Sequence, residues 1–288
     1  MRKWGRPIAL GVGLGWAIVI LIFYTRTVGS PVDAWCYYGM DPTYPWDPDR
    51  CFLYTPPIAQ LMTVIQTIVP FDLFYTTLRA SELTALALMA GPAIGPALLI
   101  PAVVIEINAA NVNLLIVGAV LLGFRYRWAW AFVILTKLTP GIGLLWFVVR
   151  REWHHLAIAL GVTAAFAALS FAIAPWMWGA YLQGLFAAPD ESPFKIWLRL
   201  PIAAAVVIWG ARGNHRWAVI IAVFLAMPRW YFLTPVILVG LFPLVRLARP
   251  LPWMRWIERP RPEGPSPRRR PPTGARHARL RRRWTGWH

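Results

Sequence analysis

The sequence predicts an all-α, polytopic membrane protein: a bundle of about 8–10 transmembrane or re-entrant helices. Of its 288 residues, 58% are hydrophobic and only 14% are charged, against roughly half and a quarter in soluble domains. A soluble chain of this length would need far more polar surface to cover its core. The apolar residues also fall in long uncharged runs, such as 7–24 and 156–174, each long enough to cross a hydrocarbon layer of roughly 30 Å as a helix. The charge, finally, is segregated. Residues 246–288 hold thirteen Arg against two Glu and carry +11 of the net +17.

In chain order, Arg2, Lys3 and Arg6 precede the first run and place the N-terminus in the cytoplasm by the positive-inside rule. No small-residue cleavage site follows, so the run reads as a signal anchor. The loop at 29–52 then lies outside, with Asp33, Asp41, Asp47 and Asp49 against Arg50. It also holds both cysteines, Cys36 and Cys51. A disulfide and two unpaired thiols are equally open for them, because spacing does not establish bridging geometry. Segments at 56–69, 75–91, 94–107 and 108–124 are broken by Pro and Gly. Several fall under the roughly 17 residues of a normal span, the pattern of tilted or re-entrant helices around a cavity. Spans at 128–149 and 153–174, a polar stretch at 175–194 and segments at 196–212, 216–227 and 229–247 complete the bundle. Counting every segment as a crossing puts both termini, Arg150, Arg151, Arg212 and Arg216 inside. It leaves Arg125 and Arg127 outside, against the rule.

The chain thus divides into a membrane domain at 1–247 and a basic, Pro- and Arg-rich cytoplasmic tail at 248–288. The tail is too poor in apolar residues to bury a core. Because it follows a span directly, it reads as a topology signal that touches anionic lipid headgroups, at about 1 kcal/mol per basic residue near the surface. A nucleic-acid arm is the lesser reading.

No Gly-rich phosphate loop, HExxH or paired CxxC occurs, so neither a metal site nor a cofactor is expected. The informative residues are polar ones that a bilayer excludes. Lys137 lies inside an apolar segment, just ahead of Pro140, which breaks the helix and frees backbone groups to line a cavity. An ammonium there is suited to hold a phosphate, and the alternatives are snorkelling or a pair with Glu106. Glu106, Asn108, Asn111 and Asn113 form a second cluster, suited to sugar hydroxyls or to interhelical hydrogen bonds. On one continuous helix, Asn108 and Asn111 would share a face and Asn111 and Asn113 would not. Asp33 follows the first span closely, and transfer to a hydroxyl needs a base of this kind. The aromatic residues Tyr38, within the outer loop, and Tyr54, just after it, can stack on a sugar or anchor the interface.

Taken in order, Asp33-Ala34-Trp35-Cys36-Tyr37-Tyr38, Phe52-Leu53-Tyr54-Thr55-Pro56-Pro57, Asn111-Val112-Asn113-Leu114-Leu115, Lys137-Leu138-Thr139-Pro140 and Arg150-Arg151-Glu152-Trp153 carry a resemblance. The chain resembles glycosyltransferase family 87, the polyprenol-phosphate-mannose-dependent mannosyltransferases of the GT-C superfamily, over roughly residues 1–175. The resemblance implies a GT-C-like bundle, with Asp33 as general base in an extracytoplasmic site. Lys137 would lie at the donor phosphate, and Asn111 and Asn113 would line the same cavity. Transfer would invert the sugar carbon without a metal. The partners implied are a polyprenyl phosphosugar donor and a lipid or glycolipid acceptor. The short C-terminal part implies a reduced acceptor side. Two other classes compete: a small transporter or flippase of a lipid-linked substrate, which would show matched repeats that this sequence lacks, and an inactive scaffold of the same fold.

Overall fold

The computed structural model describes residues 5–27, 32–41, 43, 46, 52–187 and 192–245, and every regular element in it is helical. The basic tail and Cys51, Asp47, Asp49 and Arg50 lie outside the described residues. No described cysteine is free, and Cys36 is disulfide-bonded.

The elements are α1 (Gly5–Thr27), α2 (Val32–Tyr38), α3 (Pro56–Ile68), α4 (Phe71–Ala90), α5 (Ile94–Leu98), α6 (Pro101–Ala109), α7 (Asn113–Gly123), α8 (Ala129–Thr136), α9 (Leu145–Val149), α10 (Trp153–Ile173), α11 (Pro175–Ala187), α12 (Ile196–Arg212), α13 (Trp217–Leu225) and α14 (Leu241–Leu244). Short 3-10 helices at Thr139–Leu144 and Thr234–Gly240 each carry a Pro in the first turn, where its missing N–H costs nothing. Among the described residues three helices are long and apolar enough to cross a bilayer, Pro7–Arg26, Phe71–Leu98 and Trp153–Ile173. Only 17% of the first window and 11% of the third are buried in the protein. Their outward faces therefore present Ile18, Phe23, Phe166 and Ile173 to the surroundings. Such surfaces are intolerable in water and ordinary in lipid. The chain is a multi-pass membrane protein.

Two helices that the sequence reads as separate segments, α6 and α7, form one pair bent by 103°. The bend sits at Ala110, in the left-handed conformation at φ 54, which costs an Ala about 1–2 kcal/mol. It is held by the Asn111 N–H, which donates to the Glu106 carbonyl at 3.1 Å, the long-range bond that closes a helix C-terminus. α7 leaves the bend and α8 packs back against α7. The Phe124 ring, just past α7, meets Trp146 at 5.6 Å and lies 5.5 Å from the Arg216 guanidinium. Arg150 Nη1 donates to the Ala211 carbonyl at 3.3 Å. The loops holding Arg125, Arg150 and Arg216 thus gather at one end of the bundle.

α1 is anchored by contact of bare backbones. A Cβ on Gly13 would stand 2.3 Å from the Gly95 carbonyl oxygen, and one on Gly95 would stand 2.4 Å from that of Ala9. Small residues allow this close approach where lipid gives no hydrophobic drive. Because the clashing atoms are backbone, Gly95→Val must push α1 off α5. We expect a destabilisation above the usual overpacking range of about 1–3 kcal/mol, read as a lower thermal midpoint in detergent. Gly161→Val, at a position open on every side, should leave the midpoint in place.

Two apolar clusters result. The larger is built mainly from α6 to α9, α12, α13 and the 3-10 helix at Thr234–Gly240. The smaller gathers Tyr37, Trp46, Phe52, Tyr54, Met177 and Tyr181. Val112, at the bend, packs against both, so the polar residues beside it lie in the seam.

Candidate active site

The functional side chains come from segment ends that converge on this seam. Asp33 and Tyr37 are one turn apart on α2 and share a face. Tyr54 precedes α3, with its carbonyl bound by Trp46 Nε1 at 2.8 Å and the next residue, Thr55, donating its hydroxyl to the Leu135 carbonyl. Asn111 and Asn113 flank the bend. Lys137 terminates α8 in an extended conformation, φ −141 and ψ 117, ahead of the Pro140 turn. Tyr231 lies past α13, from the opposite half of the chain.

One hydrogen-bonded system joins them. Asn111 Nδ2 donates to Asp33 Oδ2 at 3.1 Å and reaches the Tyr231 hydroxyl at 3.5 Å. Asn111 Oδ1 accepts from the Tyr37 hydroxyl at 3.2 Å and from the Val112 N–H at 2.7 Å. The Tyr37 and Tyr54 hydroxyls are 2.8 Å apart. Beyond Val112, Asn113 bridges Glu106 and Lys137. Its N–H and Nδ2 donate to the two Glu106 carboxylate oxygens at 2.7 and 3.2 Å, and its Oδ1 accepts from Lys137 Nζ at 2.7 Å. Lys137 Nζ also stands 5.9 Å from the centre of the Tyr54 ring. Asn111, Asn113 and Glu106 are buried. Neither ion is a loose surface charge, as buried charges require partners.

Asp33 is half-buried, and burial raises its pKa; the Lys137 charge and the Asn111 hydrogen bond pull the other way without cancelling it. A carboxyl raised in this way is suited to accepting a proton. Beside the network lies an apolar cavity of about 140 Å³, lined by Tyr37 and Tyr54 at the polar end and by Ile58, Leu61, Leu78 and Phe132 farther out.

The network brings together Asp33, Tyr54, Glu106, Asn111, Asn113 and Lys137. It does not include Tyr38, whose hydroxyl donates to the Val69 carbonyl at 2.8 Å while its ring packs on Phe71 and Phe74. Asp41 is occupied by Thr43 in a local turn at 2.8 Å. Three participants escape the sequence reading. Tyr37 was legible as the residue four after Asp33 on a helix. Tyr231, far along the chain from the other members, carries no local signal. Arg199, a charge inside α12, is buried and bonds the carbonyls of Leu225, Met227 and Pro228 at 2.8, 2.7 and 3.2 Å. Its signal was plain: any charge in an apolar segment asks for a role. Among the described residues no group of His, Cys, Asp and Glu could hold a metal ion.

A family model described as glycosyltransferase family 87 matches residues 52–257. The chain belongs to glycosyltransferase family 87. Membership implies transferase activity with a sugar donor and an acceptor. The family 87 match takes in Tyr54, Glu106, Asn111, Asn113, Lys137 and Tyr231 and begins after Asp33 and Tyr37. It also runs through the C-terminal half, well beyond the roughly 1–175 over which the sequence motifs carry the resemblance. No curated protein and no solved structure matches the chain.

Proposed function

We propose that this family 87 enzyme moves a hexose, mannose by family analogy, from a polyprenyl monophosphate to a lipid or glycolipid acceptor, with inversion. The observation that carries the reading is the pairing of a carboxylate and an ammonium, Asp33 and Lys137, through the Asn111–Asn113 turn beside an apolar cavity. The acceptor oxygen attacks the anomeric carbon and gives its proton to Asp33. The carbon–oxygen bond to phosphate breaks, and the electron pair leaves with the polyprenyl phosphate, whose charge the Lys137 ammonium meets. A base in place contributes roughly 10²–10⁴-fold to such a step, and a preorganised cation stabilises the charge that develops on the leaving group. The apolar cavity suits the first isoprene units of a lipid donor, since it abuts the polar network at Tyr37 and Tyr54.

The arginine-bearing end of the bundle supports an orientation. The positive-inside rule assigns the loops of Arg125, Arg150 and Arg216 to the cytoplasm. α7, α8 and α13 each run between that end and the site, which supports an extracytoplasmic Asp33. By the same rule the 248–288 tail, with its excess of Arg, reads as cytoplasmic and suited to anionic lipids.

The test is a radiolabelled polyprenyl phosphomannose given to membranes with and without the protein. Label should pass into lipid-extractable product only where the protein is present. If the labelled donor is never consumed, while another polyprenyl phosphosugar is, the hexose is wrong. If no polyprenyl phosphosugar is consumed, the transfer reading falls.

A further inference from the structure

We propose that Tyr231 contacts the acceptor and that, with Asp33, it forms the acceptor side of the site, an inference that rests on the transfer reading above. The Asn111 carboxamide sorts the site into two sides. Its oxygen faces Tyr37, which with Tyr54 lines the apolar cavity. Its nitrogen faces Asp33 and Tyr231. The amide is planar and its oxygen and nitrogen diverge, so Tyr37 and Asp33 lie off different edges of one side chain. In an inverting displacement, the leaving phosphate and the incoming hydroxyl occupy opposite faces of the anomeric carbon. The base must sit with the hydroxyl it deprotonates. The Asp33 edge is then the acceptor's and the cavity edge the donor's, and Tyr231 stands on the Asp33 edge.

Tyr231 is equipped for that place. Its residue surface is 40% exposed although its hydroxyl reaches Asn111 at 3.5 Å, so an aromatic face is open beside an anchored polar tip. A face of this kind packs against a sugar ring or a lipid alcohol while the hydroxyl orients its oxygen. The backbone that carries it is fixed. The Tyr231 N–H donates to Thr234 Oγ1 at 3.1 Å and the Trp230 N–H to Ser192 Oγ at 2.9 Å. Arg199 braces the carbonyls of Leu225, Met227 and Pro228 and lies 4.9 Å from the centre of the Trp230 ring. A buried Arg in an apolar helix is expensive, and its donors here are spent on the loop that ends at Tyr231. The C-terminal half therefore supplies a wall of the site.

The test uses the full chain in membranes, with labelled polyprenyl phosphomannose as donor. Graded amounts of total lipid extract from membranes lacking the protein serve as the acceptor pool. Tyr231→Phe removes one hydroxyl and keeps the ring; Tyr231→Ala removes both. We expect the acceptor level for half-maximal transfer to rise roughly fivefold in Tyr231→Phe, the value of one lost hydrogen bond, and further in Tyr231→Ala. The donor level for half-maximal transfer should stay within about twofold. A rise in the donor requirement, or no change in either, overturns the assignment. If the wild-type protein itself consumes no donor, the failure lies with the transfer reading and not with Tyr231.

Discussion

Replacing Asp33 by Asn should lower sugar transfer by roughly 10²–10⁴-fold, the contribution of a positioned base, while the protein still inserts and binds donor. The exchange is nearly isosteric. The side-chain oxygen can still accept from Asn111 Nδ2, as Oδ2 does at 3.1 Å, so the network keeps its shape and only the proton acceptor is lost. The pH dependence adds a second reading of the same residue. Asp33 works as the carboxylate, so activity falls as pH drops through its pKa. Burial raises that pKa, against the opposing effects of Lys137 and Asn111. The acid limb of kcat/KM should therefore lie above the ordinary aspartate value of about 3.9. Asp33→Glu, which restores a carboxylate at a shifted position, should recover part of the rate and keep an acid limb. Full activity in Asp33→Asn would remove Asp33 as the base. A family 87 transferase would then need another acceptor of the proton.

The comparison of sequence and structure turns on where local rules stop applying. The membrane class, the break at Lys137 and Pro140, and the choice of Lys137 as a candidate follow from the cost of charge and of unsatisfied backbone in lipid. That cost acts residue by residue and so is readable in a sequence. The arrangement of the Asn residues was not readable. A continuous helix would have turned Asn113 away from Asn111, but the left-handed Ala110 ends the helix between Asn108 and Asn111. An Ala carries no signal for that conformation; a Gly would have. The same bend joins α6 and α7, which the sequence reads as separate segments, into one bent pair. Tyr38 shows how one residue changes the face. Asp33 and Tyr37 are in register on α2, and the next residue points elsewhere, to the Val69 carbonyl. Tyr231 depended on a contact across 120 residues of chain, which no local pattern announces.

Lys137→Met should do two separable things. It removes the cation that Asn113 Oδ1 binds at 2.7 Å and leaves the buried Glu106 carboxylate without the charge that Asn113 relays to it. Breaking one side of a buried pair costs about 3–5 kcal/mol, so the thermal midpoint in detergent should fall sharply. It also removes the ammonium proposed to meet the donor phosphate. A hydrogen bond to a charged group is worth roughly 1.5–3 kcal/mol, which corresponds to a rise in apparent donor KM of roughly 10- to 150-fold. Adding Glu106→Gln separates the two effects. The new amide still accepts the Asn113 N–H, which reaches Glu106 Oε1 at 2.7 Å. Once Lys137 is gone, the Asn113 carboxamide can turn and accept from the Gln nitrogen, so no buried charge or orphan oxygen remains. Such neutral replacement of a buried ionic group is commonly tolerated. The double variant should therefore regain most of the lost midpoint and none of the donor affinity. Recovery of donor KM together with stability would mean that Lys137 serves Glu106 alone, and the phosphate would have to be met by another cation.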